Sequence, residues 1–403
     1  MKNHGNHIVF SGGGTAGHLF PGLAVADRLA ATIPHMRITF CGGGKPFERQ
    51  AVADAGYEYL ALPARPLPHG PRDVISFLFE NMAGYLAARR FLQEENVSAV
   101  VGLGGYASVP MARAAARRHV PLVLLEQNVI PGRATRWLSR HASLVCTAFQ
   151  ETAKMLRCPR PIRITGNPIR AGFREGRGAS VVGGQWSLSG AMPRATVFTN
   201  LQSPIPNPQS PVSQSHLLVL GGSGGARSLN ENVPKALYKI RRQLSNWQIV
   251  HQSGEADREA TESLYRKFDV PAVVMPFVGD MPGTLGETDL VVCRAGGTTL
   301  AELAVMGVPA VLLPYPHAAD NHQAANARHF SAGGGCVTID ERQISDRLDD
   351  RLADMLCFLL ANDDLRRRMS ASMLELAMPS ATADVAELVW STVSSRSLQT
   401  AAA

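Results

Sequence analysis

Arg294-Ala-Gly-Gly-Thr-Thr299 follows a short apolar run, Leu290-Val291-Val292, and opens a segment with helical apolar spacing from Leu300 to Met306. A glycine turn at a helix start presents backbone N–H groups without intrahelical partners, and the helix dipole adds positive potential there, which suits a phosphate. Glu302 lies one turn further on. A carboxylate cannot help bind an anion, but it can accept two hydrogen bonds from a ribose diol. Gly307 and Pro309 stop the helix, and Val311-Leu312-Leu313 reads as the next strand. His317, Asp320, Asn321, His322, Gln323 and Asn326 then crowd polar side chains past a strand end. Such crowding suits a sugar, whose hydroxyls each need a donor or an acceptor.

A second chemical cluster lies near the start. His7 to Phe10 reads as a strand running into Ser11-Gly-Gly-Gly-Thr-Ala-Gly-His18, followed by a helix on Leu19, Leu23, Val25, Ala26 and Leu29 and a strand from Arg37 to Cys41. This is a βαβ opening. Gly12, Gly14 and Gly17 satisfy G-x-G-x-x-G. The second strand, however, ends at Cys41-Gly-Gly-Gly, without the acid that would hold a dinucleotide's ribose. An anion-binding loop remains, with His18 at the helix entry as either a helix-start hydrogen bonder or a proton acceptor.

The elements that must position these residues repeat one pattern. Ala99–Leu103 ends in Gly104-Gly-Tyr106-Ala-Ser108, Leu122–Leu125 ends in Glu126-Gln127-Asn128, and Ile164 leads to Thr165-Gly-Asn-Pro-Ile-Arg170. Residues 171–215 change character, with 18 of 45 positions Gly, Ser or Pro, and read as a long linker or insertion. Leu217–Leu220, the glycine turn Gly221-Gly-Ser223-Gly-Gly-Ala-Arg227 and a helix from Leu229 to Ile240 then restart the opening motif. Trp247–Val250 leads to His251-Gln-Ser-Gly254, and Val273–Pro276 leads to Phe277-Val278-Gly-Asp280. Asp346–Met369 and Met373–Val393 read as helices, and Ser394–Ala403 as a loose tail. Two α/β halves that start alike predict two facing Rossmann-like domains with a deep cleft between them. The expected division is 1–170, a linker 171–215, a second domain 216–380, and a C-terminal helix and tail 381–403.

Composition bounds the rest. The chain has 403 residues, 45% apolar and 18% charged, as folded domains do. Net charge is +7, and only six of the 40 basic residues are lysines; an excess this modest reads first as solubility, with phosphate-rich partners or an anionic membrane surface as the sharper alternative. The six cysteines are never closer than twelve positions, so no zinc or redox pair follows, and a reduced cytoplasmic compartment is expected. Only Ile8-Val9-Phe10 precedes the glycines, too short for a signal-peptide core, and no 18-residue uncharged apolar run exists. Val74–Leu92 holds 13 apolar residues in 19 positions, spread beyond one face. It reads either as a helix wedged between others or as a patch that dips into a membrane surface, helped by Arg72, Arg113, Arg117, Arg118, Arg133, Arg136 and Arg140.

Nine blocks occur together and in order: GGGTAGHLFPGLAVA, GLGGYASVP, LEQNVIPGRATRWLSR, TGNPIR, LGGSGGARSLNE, HQSGE, FVGDM, CRAGGTTLAEL and PYPHAADNHQAANA. In this the chain closely resembles the MurG family over nearly everything outside 171–215 and the last residues. The resemblance implies a glycosyltransferase fold of the B type. It implies transfer of N-acetylglucosamine (GlcNAc) from UDP-GlcNAc to the C4 hydroxyl of undecaprenyl-diphospho-MurNAc-pentapeptide (lipid I), giving lipid II for the cell wall. It also implies a peripheral place on the cytoplasmic face of the bacterial membrane, a cell-wall synthesis complex as partner, and no nucleic acid. Residue by residue, Ser223 and Gly297, Thr298 and Thr299 match the diphosphate contacts, with Leu300 and Ala301 in the same run. Val278 matches the uracil contact made through backbone, Glu302 the ribose acid, and Gln323 a sugar-reading glutamine. Asn128 and Arg170 match further donor contacts. Thr15, Ala16 and Gly17 form the first-domain loop beside His18, and Gly14, Tyr106 and Glu126 are acceptor-side candidates. The family often has Gln where Gly224 stands and a glutamine pair where His322-Gln323 stand, which leaves the role of His322 open.

The chemistry of glycosyl transfer then assigns roles. An acceptor hydroxyl needs a base as its C–O bond forms, and His18 can accept a proton at cellular pH. Inversion follows from one in-line displacement. The chain contains no Asp-x-Asp triplet, so no catalytic metal and no cofactor is expected, and helix N-termini with the loops at Ser223 and Thr298 would meet the leaving charge. Competing readings are a B-type transferase acting on a glycolipid or antibiotic aglycone, a sugar-nucleotide epimerase, and a non-catalytic UDP-sugar sensor or scaffold.

Overall fold

The computed structural model describes residues 6–68, 70–173, 214–222, 225–344 and 347–401, with backbone alone for 395–401. Most of the expected insertion, and the site candidate Ser223 with its neighbour Gly224, lie outside the described residues. The chain divides into two compact units, Met1–Ala171 with Met378–Ala403, and Gly172–Ala377.

In the first unit, seven strands among the described residues form one parallel sheet in the order β3-β2-β1-β4-β5-β6-β7. They are β1 His7–Gly12, β2 Arg37–Gly42, β3 Glu58–Ala61, β4 Ala99–Gly104, β5 Leu122–Glu126, β6 Leu144–Thr147 and β7 Ile162–Ile164. Every position of β1, β4, β5 and β6 is buried, which is why these strands read as unbroken apolar runs without alternation. Between them run α1 Ala16–Thr32, α2 Pro46–Asp54, α3 Asp73–Glu94, α4 Val109–Arg117, α5 Arg133–Leu138 and α6 Gln150–Lys154. Ile8, Phe10 and Val101 pack with Leu19 and Leu23 of α1 on one face of the sheet. Val9, Val100 and Leu122 pack with Ala88 of α3 and Met111 of α4 on the other.

The second unit carries a parallel sheet of six described strands, in the order β10-β9-β8-β11-β12-β13. These are β8 Ser215–Leu220, β9 Trp247–Gln252, β10 Val273–Met275, β11 Leu290–Cys293, β12 Ala310–Leu312 and β13 Cys336–Thr338. Its helices are α7 Arg227–Lys239, α8 Arg258–Lys267, α9 Met281–Glu287, α10 Gly297–Met306, α11 His322–Ala332, α12 Leu348–Leu360 and α13 Asp363–Glu375. The last helix, α14 Ala381–Ala401, returns to the first unit, where Val385, Ala386, Val389 and Val393 join the core against α1. Both sheets are doubly wound, the fold class expected. Each reverses its strand order once, between β1 and β4 in the first and between β8 and β11 in the second. Open α/β sheets bind ligands beyond the strand ends at such points.

Local expectations fail where polar side chains or a proline break a helix. The single helix read over 346–369 is two, because Asn362 accepts from Leu365 N at 2.9 Å and starts α13. The helix read over 373–393 also breaks, between Glu375 and Ala381, around Pro379. The tail expected from Ser394 is instead helical to Ala401. The wedged reading of α3 is overturned. Only Gly84, Ala88 and Leu92 are buried along it, while Ile75 is 79% and Phe79 76% exposed. No helix of the described residues is long and apolar enough to cross a membrane.

Gly84 lets α3 approach the chain at Pro63: a methyl group there would lie 2.0 Å from the Pro63 carbonyl oxygen. Gly84→Ala is therefore expected to destabilise the protein by about 1–3 kcal/mol through forced displacement of backbone, despite the better helix propensity of alanine. A thermal melt of the variant checks this.

Candidate active site

The first switch point is built on glycine. The turn leaving β1 holds Gly12 at φ 141°, Gly13 at 153° and Gly14 at 89°. At Gly12 a side chain would also strike the Gly104 carbonyl oxygen, 2.8 Å from where its Cβ would sit. The turn is held from behind by Glu48, on α2 and only 1% exposed. Its Oε1 accepts from Gly14 N at 2.5 Å, and its Oε2 from Tyr59 Oη at 2.5 Å, Gly44 N at 3.1 Å and Lys45 N at 3.3 Å. Lys45 Nζ donates to the Gly14 carbonyl at 2.9 Å, so both polar groups of Gly14 are held. Sequence reasoning missed Glu48. Lys45-Pro46-Phe47-Glu48 carries the proline and glutamate that mark a helix start, but nothing in it says that the carboxylate also reaches Gly14.

Thr15 is the N-cap of α1, with extended backbone, and its Oγ1 lies 3.0 Å from His18 Nδ1. Ala16 and Gly17 are the first two residues of that helix. The His18 ring lies against Gly104, at φ 96°, where a methyl group would meet His18 Cδ2 at 3.0 Å. Tyr106 follows at the start of a short 3₁₀ turn. At the end of β5 the Glu126 carboxylate is buried and accepts from Asn128 N and Nδ2, both at 3.2 Å, and from Gly132 N at 3.0 Å. Burial pushes the Glu126 carboxyl up, against the opposing pull of hydrogen bonds from Thr135, Gly132 and Asn128. Its carboxylate thus shapes the loop that carries Asn128. Arg170 places its guanidinium over the Phe20 ring of α1, 4.7 Å from the centroid.

At the second switch point, Gly296 caps α10 with extended backbone, and Leu300 N is the first amide to return to it, at 3.0 Å. The amides of Gly297, Thr298 and Thr299 precede that first helical bond, in the opening turn of α10. Asn326, fully buried on α11, donates to the Ala295 carbonyl at 3.1 Å and fixes the turn. Arg294 does not enter a phosphate cradle. It is paired with Glu341 and donates to the Leu313 carbonyl. Thr298 and Glu302 are both buried, one turn apart on α10 with Leu300 and Ala301 between them. Gln323 accepts from Tyr315 N at 2.9 Å, which ties α11 to the loop after β12. His322 lies 2.8 Å by Nδ1 from the Ala319 carbonyl.

The turn after β8 and the loop after β10 are joined by another residue that the sequence did not single out. Gln252 donates through Nε2 to the Gly222 carbonyl at 3.0 Å and accepts at Oε1 from Val278 N at 3.0 Å. Beside it, buried His251 lies 3.0 Å from Tyr265 Oη by Nδ1 and 3.0 Å from Asn230 Oδ1 by Nε2. Asn230 Nδ2 donates to the Ser253 carbonyl and to Asp257, so Oδ1 is its accepting end and Nε2 of His251 carries the hydrogen. The described residues of the expected set thus fall into two groups, one in each unit.

Two family models match the chain: glycosyltransferase family 28 N-terminal domain over residues 8–147, and its C-terminal domain over 216–383. A relative from Pelobacter propionicus, named UDP-N-acetylglucosamine–N-acetylmuramyl-(pentapeptide) pyrophosphoryl-undecaprenol N-acetylglucosamine transferase, is 34% identical over 386 residues. That alignment covers 95% of this chain and 97% of the relative. The chain belongs to the MurG family. A family member of the same name from Trichlorobacter lovleyi is 32% identical, with 92% and 94% covered. The solved MurG of Acinetobacter baumannii superposes with a TM-score of 0.70 at 28% identity, covering 96% of this chain and 99% of that one. A solved UDP-N-acetylglucosamine 2-epimerase from Listeria monocytogenes is similar at TM-score 0.64 and 13% identity, covering 94% and 95%, which is a likeness of fold alone. The epimerase reading therefore gains nothing from it.

Burial lowers the pKa of His251 to about 3. Its unfolded counterpart protonates near 6.5, so the unfolded chain binds the extra proton between those values. The contribution is complete above about pH 6.5 and is lost as pH falls towards 3, at about 1.4 kcal/mol per pH unit. Denaturant melts at about pH 7.5 and 5 should differ by about 2 kcal/mol from this group alone. An imidazole NMR titration should show His251 neutral throughout that range.

Proposed function

We propose that this protein is an inverting, metal-independent hexosyltransferase that moves GlcNAc from UDP-GlcNAc to the C4 hydroxyl of lipid I, giving lipid II. The observation that carries the reading is a 34% identity running through 95% of the chain to a transferase named for that reaction. His18 follows β1 and Tyr106 follows β4 in the first sheet, and Thr298 and Glu302 follow β11 in the second, at the points where the sheets switch.

His18 acts as the base. Thr15 Oγ1, 3.0 Å from Nδ1, orients the imidazole, which takes the hydroxyl proton as the C–O bond forms. The bond from the sugar's anomeric carbon to the UDP oxygen breaks in the same displacement, and UDP carries away the electron pair. The α10 amides at Gly297, Thr298 and Thr299, with Ser223, receive the growing diphosphate charge without solvent rearrangement. Glu302 holds the ribose diol, Val278 meets uracil through its backbone, and Gln323 reads the sugar. Thr15 to Gly17, Asn128 and Arg170 supply the first unit's share of the donor contacts, with Gly14, Tyr106 and Glu126 on the acceptor side.

The acceptor is carried by a lipid, and α3 offers a surface for one. Ile75, Leu78, Phe79, Met82 and Leu86 form an exposed apolar face. Tyr85, Arg89, Arg117 and Arg118 line a pocket of about 510 Å³ nearby, suited to an anionic headgroup. This supports a peripheral position on the cytoplasmic face of the membrane, within reach of a cell-wall synthesis complex.

Release of UDP on mixing UDP-GlcNAc with a lipid I analogue, against UDP-GalNAc as control, tests the reaction. His18→Ala should lower kcat by about 10²–10⁴-fold, the usual worth of a positioned base, with UDP-GlcNAc affinity kept within about threefold. Collapse of donor affinity with normal turnover of bound donor would remove His18 from the role. For the membrane, the double change Ile75→Glu and Phe79→Glu should weaken binding to phosphatidylglycerol vesicles by at least about tenfold while the far-UV spectrum stays unchanged. Undiminished vesicle binding by the folded variant would refute the docking face.

A further inference from the structure

Gln127 lies between the two site candidates of β5's end, Glu126 and Asn128, and is 3% exposed. Its Nε2 donates to the Leu103 carbonyl at 3.2 Å. A carbonyl oxygen can only accept, so this bond settles which end of the amide is which. Oε1 therefore points the other way, and no donor among the described residues reaches it. A buried amide oxygen left without a donor costs about 1–3 kcal/mol, so in a native fold such an atom marks a place where another molecule supplies the hydrogen.

Gln127 Oε1 and the His18 ring both lie over Gly104. A methyl group in place of a Gly104 hydrogen would lie 3.8 Å from Gln127 Oε1, 3.4 Å from His18 Nε2 and 3.0 Å from His18 Cδ2. The amide oxygen and the ring's Nε2 edge thus border one small space over Gly104, and a side chain at 104 would fill it. The Nε2 edge of the ring faces this space, while Nδ1 lies against Thr15 Oγ1. A hydroxyl that gives its hydrogen to Nε2 cannot also donate it to Gln127. The hydrogen for Oε1 then comes from an adjacent polar group, which a saccharide provides on the same molecule.

We propose that Gln127 is an acceptor-specificity residue: Oε1 takes a hydrogen bond from a hydroxyl or amide N–H of the acceptor sugar, beside the hydroxyl that reacts at His18. This rests on the reading of His18 as the base. Gln127 touches the substrate but moves no proton, so its removal acts on acceptor recognition and leaves the pH–rate profile in place.

The test is steady-state kinetics of the full-length protein with a lipid I analogue varied at saturating UDP-GlcNAc. Gln127→Met keeps the shape of the side chain and removes the acceptor atom. It should raise the acceptor KM about tenfold, the worth of one hydrogen bond to a neutral group. UDP-GlcNAc affinity should stay within about twofold, and the apparent pKa of the rate profile should not move. Gln127→Glu loses the bond to Leu103 as the methionine variant does, but keeps an accepting oxygen, and should hold the acceptor KM within about threefold of the unaltered protein. An unchanged acceptor KM in Gln127→Met overturns the proposal, as water alone then satisfies Oε1. An equal rise in both variants also overturns it, because the Leu103 link is then what matters. Failure of the underlying reading looks different: His18→Ala would keep near-normal kcat, whatever Gln127→Met does to the acceptor KM.

Discussion

Glycine turns that expose backbone amides cannot hold their own shape, and the described structure depends on how they are held. Gly14 is pinned by Glu48, Gly222 by Gln252, and the turn before α10 by Asn326. In each case a buried polar side chain from another element bonds to the backbone of the turn. A turn without side chains has more conformational freedom to lose than any other, and these bonds remove that freedom while leaving the outward face open. The cost is a set of buried polar groups, and each is acceptable because it is satisfied: Glu48 alone accepts from four donors.

The same device links parts of a site. Gln252 uses both ends of one amide, so the loop of Val278 and the turn of Gly222 cannot shift independently. His251 and Asn230 brace the strand end behind it, and burial keeps that imidazole uncharged. In the first unit, Thr15 orients His18 and Glu126 orients the Asn128 loop. The groups proposed to touch substrate are thus aimed by hydrogen bonds already made within each unit, which is how a site holds geometry before its ligand arrives.

The α3 helix follows a different logic. Its apolar residues greatly outnumber its buried ones, and the surplus faces outward beside arginines. A helix that only stabilised the fold would have no use for exposed Ile75 and Phe79. A protein whose acceptor is lipid-borne, as proposed for this one, has a use for both that face and the cations near it.

The order of glycine blocks was enough, within the sequence alone, to identify the family and the two doubly wound halves. Unbroken apolar strands and glycine turns are local signals, set by burial on both sheet faces and by backbone sterics, so they survive without coordinates. Helix ends were legible only in part, because the breaks at Asn362 and around Pro379 compete with apolar spacing that runs through them. Only the tertiary structure decided which face of α3 meets solvent, that α14 packs on the first unit, and that Glu48, Gln252 and Gln127 stand behind or beside the site. Glu48 lies 34 positions from Gly14, Gln252 lies 26 from Val278, and Gln127 lies 24 from Leu103. Such pairings depend on the order in which strands join a sheet, and no periodicity in a single sequence encodes that order.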